Sequence, residues 1–369
     1  SITYNPDGNQ NKTAMIGNST TPTGASKAKL YIETSSSEPQ IAIGRSGDAK
    51  VVKFMTWSGN NLCISDTKME SNQVSASTAM GYSAIAGSYG SAFGQNSDAR
   101  GGGATAIGSS AKAKGADSTA IGYQSNANGS MSTSFGYNAT ASQTGCIALG
   151  SSSKASSNYA IALGSSANAS GNASTTVGYN SKTANFATAI GYSANASSAS
   201  STAVGYNSTA GSSTTAVGYN VKATGTYSTA IGYSTNASQS YSTVLGSYAK
   251  ASGRSSTALG YSSNASGSSA LAAGYYSSAT GSSSTALGYF SSATNSYATA
   301  VGDATASGMY SSAVGYQAKA SHTSSTAIGY YAKTTTSNQI VLGTSSTTVY
   351  IPGLLVVDGN VRFKKEAYI

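Results

Sequence analysis

Ser118-Thr119-Ala120-Ile121-Gly122-Tyr123 is followed fourteen residues on by Ser132-Thr133-Ser134-Phe135-Gly136-Tyr137, and the pattern continues in both directions. Its anchor is a glycine that recurs twenty times from Gly81 to Gly343, preceded every time but one by a large apolar residue. Of the nineteen intervals, fifteen are 14 residues and four are 13. That period is too short for a domain or a pair of helices. It predicts one coil of an all-β solenoid, in which each repeat stacks only on its neighbours.

Aligned on the glycine, three columns precede it. The nearest holds Ile107, Ile121, Leu149, Leu163, Val177, Ile190, Val204, Val217, Ile231, Leu245, Leu259, Leu287, Val301, Val314, Ile328 and Leu342. The middle column is Ala in sixteen of twenty coils, and the third is Thr in fourteen, with Ile147, Ile161, Leu271 and Ile340 intruding. Alternate residues of a strand share a face, so the Thr and Ile/Val/Leu columns point one way and the Ala column the other. A strand apolar on both faces is buried on both. One face fills the coil and the other needs a partner. The Ile/Val/Leu column is therefore expected at the core of an assembly, most simply a threefold one with these side chains at its centre.

After the glycine the pattern becomes Ala-x-Ala, as in Ala111-Lys112-Ala113 and Ala167-Asn168-Ala169. This reads as a second strand, small inside and polar outside. Two strands of 6–8 residues around Ala would make a thin core, which also favours association. The outer residue of the second strand is Lys112, Lys154, Lys182, Lys222, Lys250, Lys319 or Lys333 in seven coils and Asn in many others. At a coil spacing of about 4.8 Å like charges repel, and Lys adjoins Lys only in the last two coils. Thirteen of the anchor glycines are followed by Tyr, among them Tyr192, Tyr206, Tyr219 and Tyr233. These suggest a stacked aromatic ladder along a coil edge. Lys154, Lys182, Lys222 and Lys250 with those four tyrosines form the candidate surface for binding, the alternative role being solubility and edge protection. Twenty coils predict a trimeric rod of roughly 95 Å.

Composition narrows the classes. Charged residues are 8 % of 369, and the net charge of +9 arises largely between residues 76 and 357, where ten basic side chains face three acidic ones. No Lys/Arg run marks a nucleic-acid arm, and no apolar stretch of about 18 residues predicts membrane insertion. Cys63 and Cys146 are too few for a disulfide framework. One histidine, His322, with two separated cysteines makes no zinc site of the usual kinds. Asp98, Asp117 and Asp303 are isolated, so no carboxylate pair supports glycosidase chemistry. Gly101-Gly102-Gly103 lacks the Lys-Ser ending of a phosphate loop. No enzyme, metal or cofactor is expected. Ser1 in place of an initiator Met suggests a processed or excised fragment.

The repeat Ser-Thr-Ala-Ile-Gly-Tyr-x-x-x-Ala-x-Gly resembles the head repeat of YadA-type trimeric autotransporter adhesins. That resemblance, over about residues 77–343, implies a left-handed parallel β-roll and three chains per head. No neck motif, heptad stalk or membrane-anchor strands follow. The segment Val349-Tyr350-Ile351-Pro352-Gly353-Leu354-Leu355-Val356-Val357-Asp358-Gly359-Asn360-Val361-Arg362-Phe363 instead resembles the distal part of bacteriophage tail fibres. The expected organisation is a β-rich capping or attachment region over 1–75, the β-roll over 76–343 and a β segment over 344–369. Gln40-Ile41-Ala42-Ile43-Gly44, echoing Gln339-Ile340-Val341-Leu342-Gly343, supports the capping region. The resemblances imply a homotrimeric fibre that attaches to a glycan or protein receptor on a host cell surface. Its expected setting is a virion tail fibre, the alternative being the head of a bacterial surface adhesin. An ice- or crystal-binding solenoid, prompted by the Thr column, is disfavoured by the Ile and Leu within that column.

Overall fold

The computed structural model describes residues 76–354 and 356–359, together with the backbone of six strands between Ile2 and Ile64. The chain forms two compact units, Ser1–Ser247 and Tyr248–Ile369. Both are built from the same coil, and the repeats form an all-β parallel solenoid of about 19 turns.

A single coil shows the construction. In the one that begins at Gly108, the short strand Lys112–Ala113 is followed by the main strand Thr119–Ile121. Each main strand pairs in parallel with its counterpart one coil away, Thr119 with Thr133, Ala120 with Ser134 and Ile121 with Phe135. The short strands form a second parallel ladder, Lys112 with Asn126 and Ala113 with Ala127. The expected strands of 6–8 residues are in fact shorter, three residues in most main strands and two in the others. Four main strands reach five residues, Thr215–Tyr219, Thr229–Tyr233, Thr243–Ser247 and Thr257–Tyr261. The missing length goes into two tight turns per coil.

Those turns explain the composition. Most coils have one non-glycine residue with φ near +55° after each strand, for example Ser110 and Asp117, and Gly103 and Gly145 take the second corner in two coils. Such a conformation costs an ordinary residue about 1 kcal/mol, and Asn, Asp and Ser are frequent there. The anchor glycines are required twice over. Gly205 has φ of +120°, and a Cβ on it would lie 2.0 Å from the carbonyl oxygen of Gly218 in the next coil. The four 13-residue coils lose their residue from a turn and never from a strand. Tyr89, Phe186 and Ser213 mark shortened second turns, while in Gly302–Gly315 the left-handed corner after the glycine is missing.

The inside of the coil is filled by the smallest side chains. Ala111, Ala113 and Ala120 have no solvent exposure, and Ser118 joins them. Its hydroxyl donates to the carbonyl of Gly115 at 2.7 Å; Ser174 does the same to Gly171 at 2.8 Å. This pairing gives Ser a partner at these two turn positions, whereas the buried hydroxyls of Ser125 and Ser132 have none. At one place two breaks in the Ala columns match. Thr176 replaces Ala in the main strand, Thr183 replaces Ala in the next short strand, and their buried hydroxyls bond each other.

Before the first coil, β1 (Ile2–Asn5), β2 (Lys12–Ile16), β3 (Ala28–Thr34), β4 (Pro39–Arg45), β5 (Lys53–Ser58) and β6 (Asn61–Ile64) form an antiparallel meander. β6 then runs parallel to the first main strand, β7 (Thr78–Met80), with Leu62 opposite Thr78. The echo between Gln40–Gly44 and Gln339–Gly343 does not extend to pairing. Ile41 lies in an antiparallel ladder, whereas Ile340 pairs in parallel with Thr326. After Leu342 the described residues carry no strand. The segment from Asn360 to Phe363 lies outside the described residues.

Candidate binding surfaces

Sheet alternation assigns the two faces of the main strand. The Ala column points inward, while the Thr and Ile/Val/Leu columns form the outer face of the same sheet. Within one chain, none of Ile107, Ile121, Leu149, Leu163, Val177, Ile190, Val204, Val217, Ile231, Leu245, Leu259, Leu287, Val301, Val314, Ile328 and Leu342 is buried. Ile231 is 37 % exposed and Leu245 50 % exposed. The core of the coil thus belongs to Ala, and the large aliphatic column lies outside it. The Thr column, expected to be buried, is also half-exposed. Together they make an apolar face with a regular register and no covering element among the described residues.

A family model, the YadA head domain repeat, matches residues 99–125, 113–139, 127–153, 147–167, 155–181, 183–208, 223–249, 251–277, 279–305 and 306–332, together more than half of the chain. The chain belongs to the YadA head-repeat family. A solved structure, the collagen-binding domain of the Yersinia adhesin YadA, is similar over 67 % of this chain and 76 % of that one, with 18 % identity and a TM-score of 0.13. No curated protein matches. The family is structural and adhesive in character. Among the described residues, no three His, Cys, Asp or Glu side chains gather as a metal site requires. Cys146 is buried in the coil, and burial pushes its thiol up from the usual range.

In this YadA-like roll, the two candidate columns belong to different sheets. Tyr219 and Tyr233 extend the main-strand ladder in register. Lys154, Lys182 and Lys222 stand exposed on the short-strand ladder, and Lys250 does so in the second unit. Lys182 is flanked by Asn168 and Asn195, and Lys222 by Thr209 and Asn236. Lys319 pairs directly with Lys333, as the spacing predicts. The tyrosines stack as a ladder: successive rings from Tyr179 through Tyr192, Tyr206 and Tyr219 to Tyr233 lie 4.9–5.2 Å apart with planes within 6–19°. Tyr192, Tyr206 and Tyr219 each have a ring on both sides. Their faces are covered by one another, so they present ring edges and hydroxyls to solvent, and the faces that sugars stack on are occupied.

Sequence reasoning missed two features. One is a further set of stacked rings at other corners of the coil, Tyr227 on Tyr241 at 5.3 Å and Tyr297 on Tyr310 at 5.0 Å. Aromatic residues visit these columns too irregularly to stand out. The other is an open groove of about 540 Å³ lined by Asn96, Ser110, Lys112, Gln124, Asn126, Asn138 and Thr140. It could have been found by reading the second residue after each glycine together with the residue two further on, since in these coils the two columns combine Asn, Gln and Ser with Lys, Asn and Thr.

Proposed function

We propose that the chain is the head of a homotrimeric surface adhesin, with three copies joined through the outer face of the main-strand sheet. The observation that carries this reading is the outward Ile/Val/Leu column over a core of Ala. A continuous apolar stripe of this kind marks an interaction site, and a parallel sheet is normally covered on both faces. Membership of the YadA head-repeat family supports the same assembly. A second setting, the tail fibre of a bacteriophage, draws on the segment Val349–Phe363. The gene itself separates the two: signal-peptide and anchor coding in the same frame supports the adhesin, and neighbouring tail genes support the fibre. Ice binding is the weaker reading, because Ile147, Ile161, Leu271 and Ile340 interrupt the outward Thr column.

The test of assembly is light scattering on the intact protein. A mass near three times 36.5 kDa is expected. A folded monomer at micromolar concentration overturns the proposal. Attachment is tested by the binding of labelled protein to whole cells, where saturable adhesion is the expected result.

A further inference from the structure

An open groove runs beside the early coils. Every side chain that lines it is polar, with three Asn, one Gln, one Ser, one Thr and one Lys. It is built from two parallel rows. Lys112, Asn126 and Thr140 are the outward members of consecutive short strands and pair in register. Asn96, Ser110, Gln124 and Asn138 occupy the left-handed corners, with φ of 55°, 58°, 56° and 52°. The corners are held from coil to coil: the amide of Ser110 donates to the carbonyl of Gln95 at 2.8 Å, and that of Gln124 to Ser109 at 3.0 Å. The repeated φ and these bonds fix how each corner side chain leaves the backbone. The rows therefore offer amide, hydroxyl and ammonium groups at the coil spacing of about 4.8 Å.

We infer that this groove binds a linear glycan bearing carboxylates, lying along the stacked coils. Amide side chains both donate and accept, as the hydroxyls of a sugar require. The lining has no apolar or aromatic side chain to receive the anchors that a protein partner would insert. Lys112 is its one charged group, and a sugar carboxylate makes a charge-assisted hydrogen bond to an ammonium about twice as strong as a neutral one. Asp98, the neighbour of Lys112 in register, is engaged by Arg100 at 3.3 Å. The groove lies along the short-strand sheet and the corners beside it, whereas the face assigned to assembly is on the main-strand sheet. This inference rests on the adhesin reading and names the class of its receptor.

The experiment is calorimetric titration of the full chain with oligogalacturonate, a linear uronic-acid chain, and with a neutral cello-oligosaccharide of equal length. Binding of the acidic chain in preference to the neutral one is expected. Gln124→Ala with Asn138→Ala should weaken it about tenfold, the scale of losing hydrogen bonds to a charged ligand. Lys112→Gln, an exposed change that leaves the coil intact, should abolish the preference for the acidic chain. Lys319→Gln, far along the same column, should bind like the parent. Light scattering on the same samples separates the two proposals. A trimer that binds neither chain, or whose groove variants bind like the parent, overturns the groove and leaves the adhesin standing. Equal binding of both chains overturns the carboxylate assignment. A monomer that binds acidic chain overturns the assembly alone.

Discussion

Ala230 and Ile231 are consecutive residues of the strand Thr229–Tyr233, and they show two opposite uses of apolar surface. Ala230 has no solvent exposure, while Ile231 retains 37 %. In most folded domains the largest aliphatic side chains are the most deeply buried; here one chain encloses its smallest and leaves its largest outside. The coil is so narrow that only Ala, Ser, Cys146 and an occasional Thr or Val fill it among the described residues. Its coherence comes from backbone ladders, in-register stacking and turn hydroxyls. In the proposed trimer, aliphatic burial, the dominant favourable term in most folds, is deferred to association. On that proposal the roll has its architecture within the chain and much of its stability between chains.

The comparison is broken most severely from the inside. Ala230→Asp would enclose a carboxylate with no basic partner in reach, a cost of several kcal/mol. The expected outcome is loss of the circular-dichroism melting transition, or of soluble protein altogether. Ala230→Val should be tolerated, since Val244 already occupies the same column fully buried. If Ala230→Asp melts like the parent, the inside of the coil has been wrongly assigned.

Ile231→Asp tests the other face. In a lone chain the new carboxylate reaches water, so the coil should keep its strand spectrum. At a threefold axis three such charges would meet, and the trimer should dissociate or melt well below the parent. Light scattering and thermal melting together read this result. A variant that remains a trimer with parental melting places Ile231 away from the interface and removes the main support for the proposed assembly.

The sequence made the period, the strand alternation and the anchor glycine legible, because a coil imposes the same constraint twenty times. Gly205 illustrates why: its φ and its contact with Gly218 both exclude a side chain, and selection for backbone shape leaves a strict column. The Ala column was readable for the same reason. The turns were not. Ser, Asn, Gln, Tyr and Phe all occupy the left-handed corners, so geometry there leaves no single residue type to align. The 13-residue coils show that a residue is missing without showing which turn lost it. Tyrosine stacking was expected from the column, but only ring positions reveal that the faces are covered. The groove escaped notice because it is made by two columns read together over four coils.

Within the closed core, Thr176 and Thr183 sharpen the contrast on a smaller scale. Their hydroxyls satisfy each other across the coil. Replacing either one by Ala should destabilise by about 1–3 kcal/mol, since the remaining buried hydroxyl loses its partner. Replacing both restores the Ala–Ala arrangement of other coils and should recover much of the loss. Melting temperatures of the two single variants and the double variant form the cycle. Additive losses would show that the two hydroxyls do not depend on each other.

The smallest effect is expected on the outer face of the short-strand sheet. Lys222 is exposed and flanked by Thr209 and Asn236, so Lys222→Ser should change stability by less than about 0.5 kcal/mol. Lys333 differs because it pairs directly with Lys319. Two like charges opposite each other in a ladder destabilise by a few tenths of a kcal/mol, up to about 1. Lys333→Ser should therefore raise the melting temperature slightly at low salt. Salt shortens the Debye length from about 30 Å at 0.01 M to about 3 Å at 1 M, so the gain should vanish in concentrated salt, and Lys222→Ser should show little change in either condition. A gain from Lys333→Ser that persists at 1 M salt would have to come from packing or strand propensity, and repulsion would not be the reason that Lys so rarely follows Lys along this column.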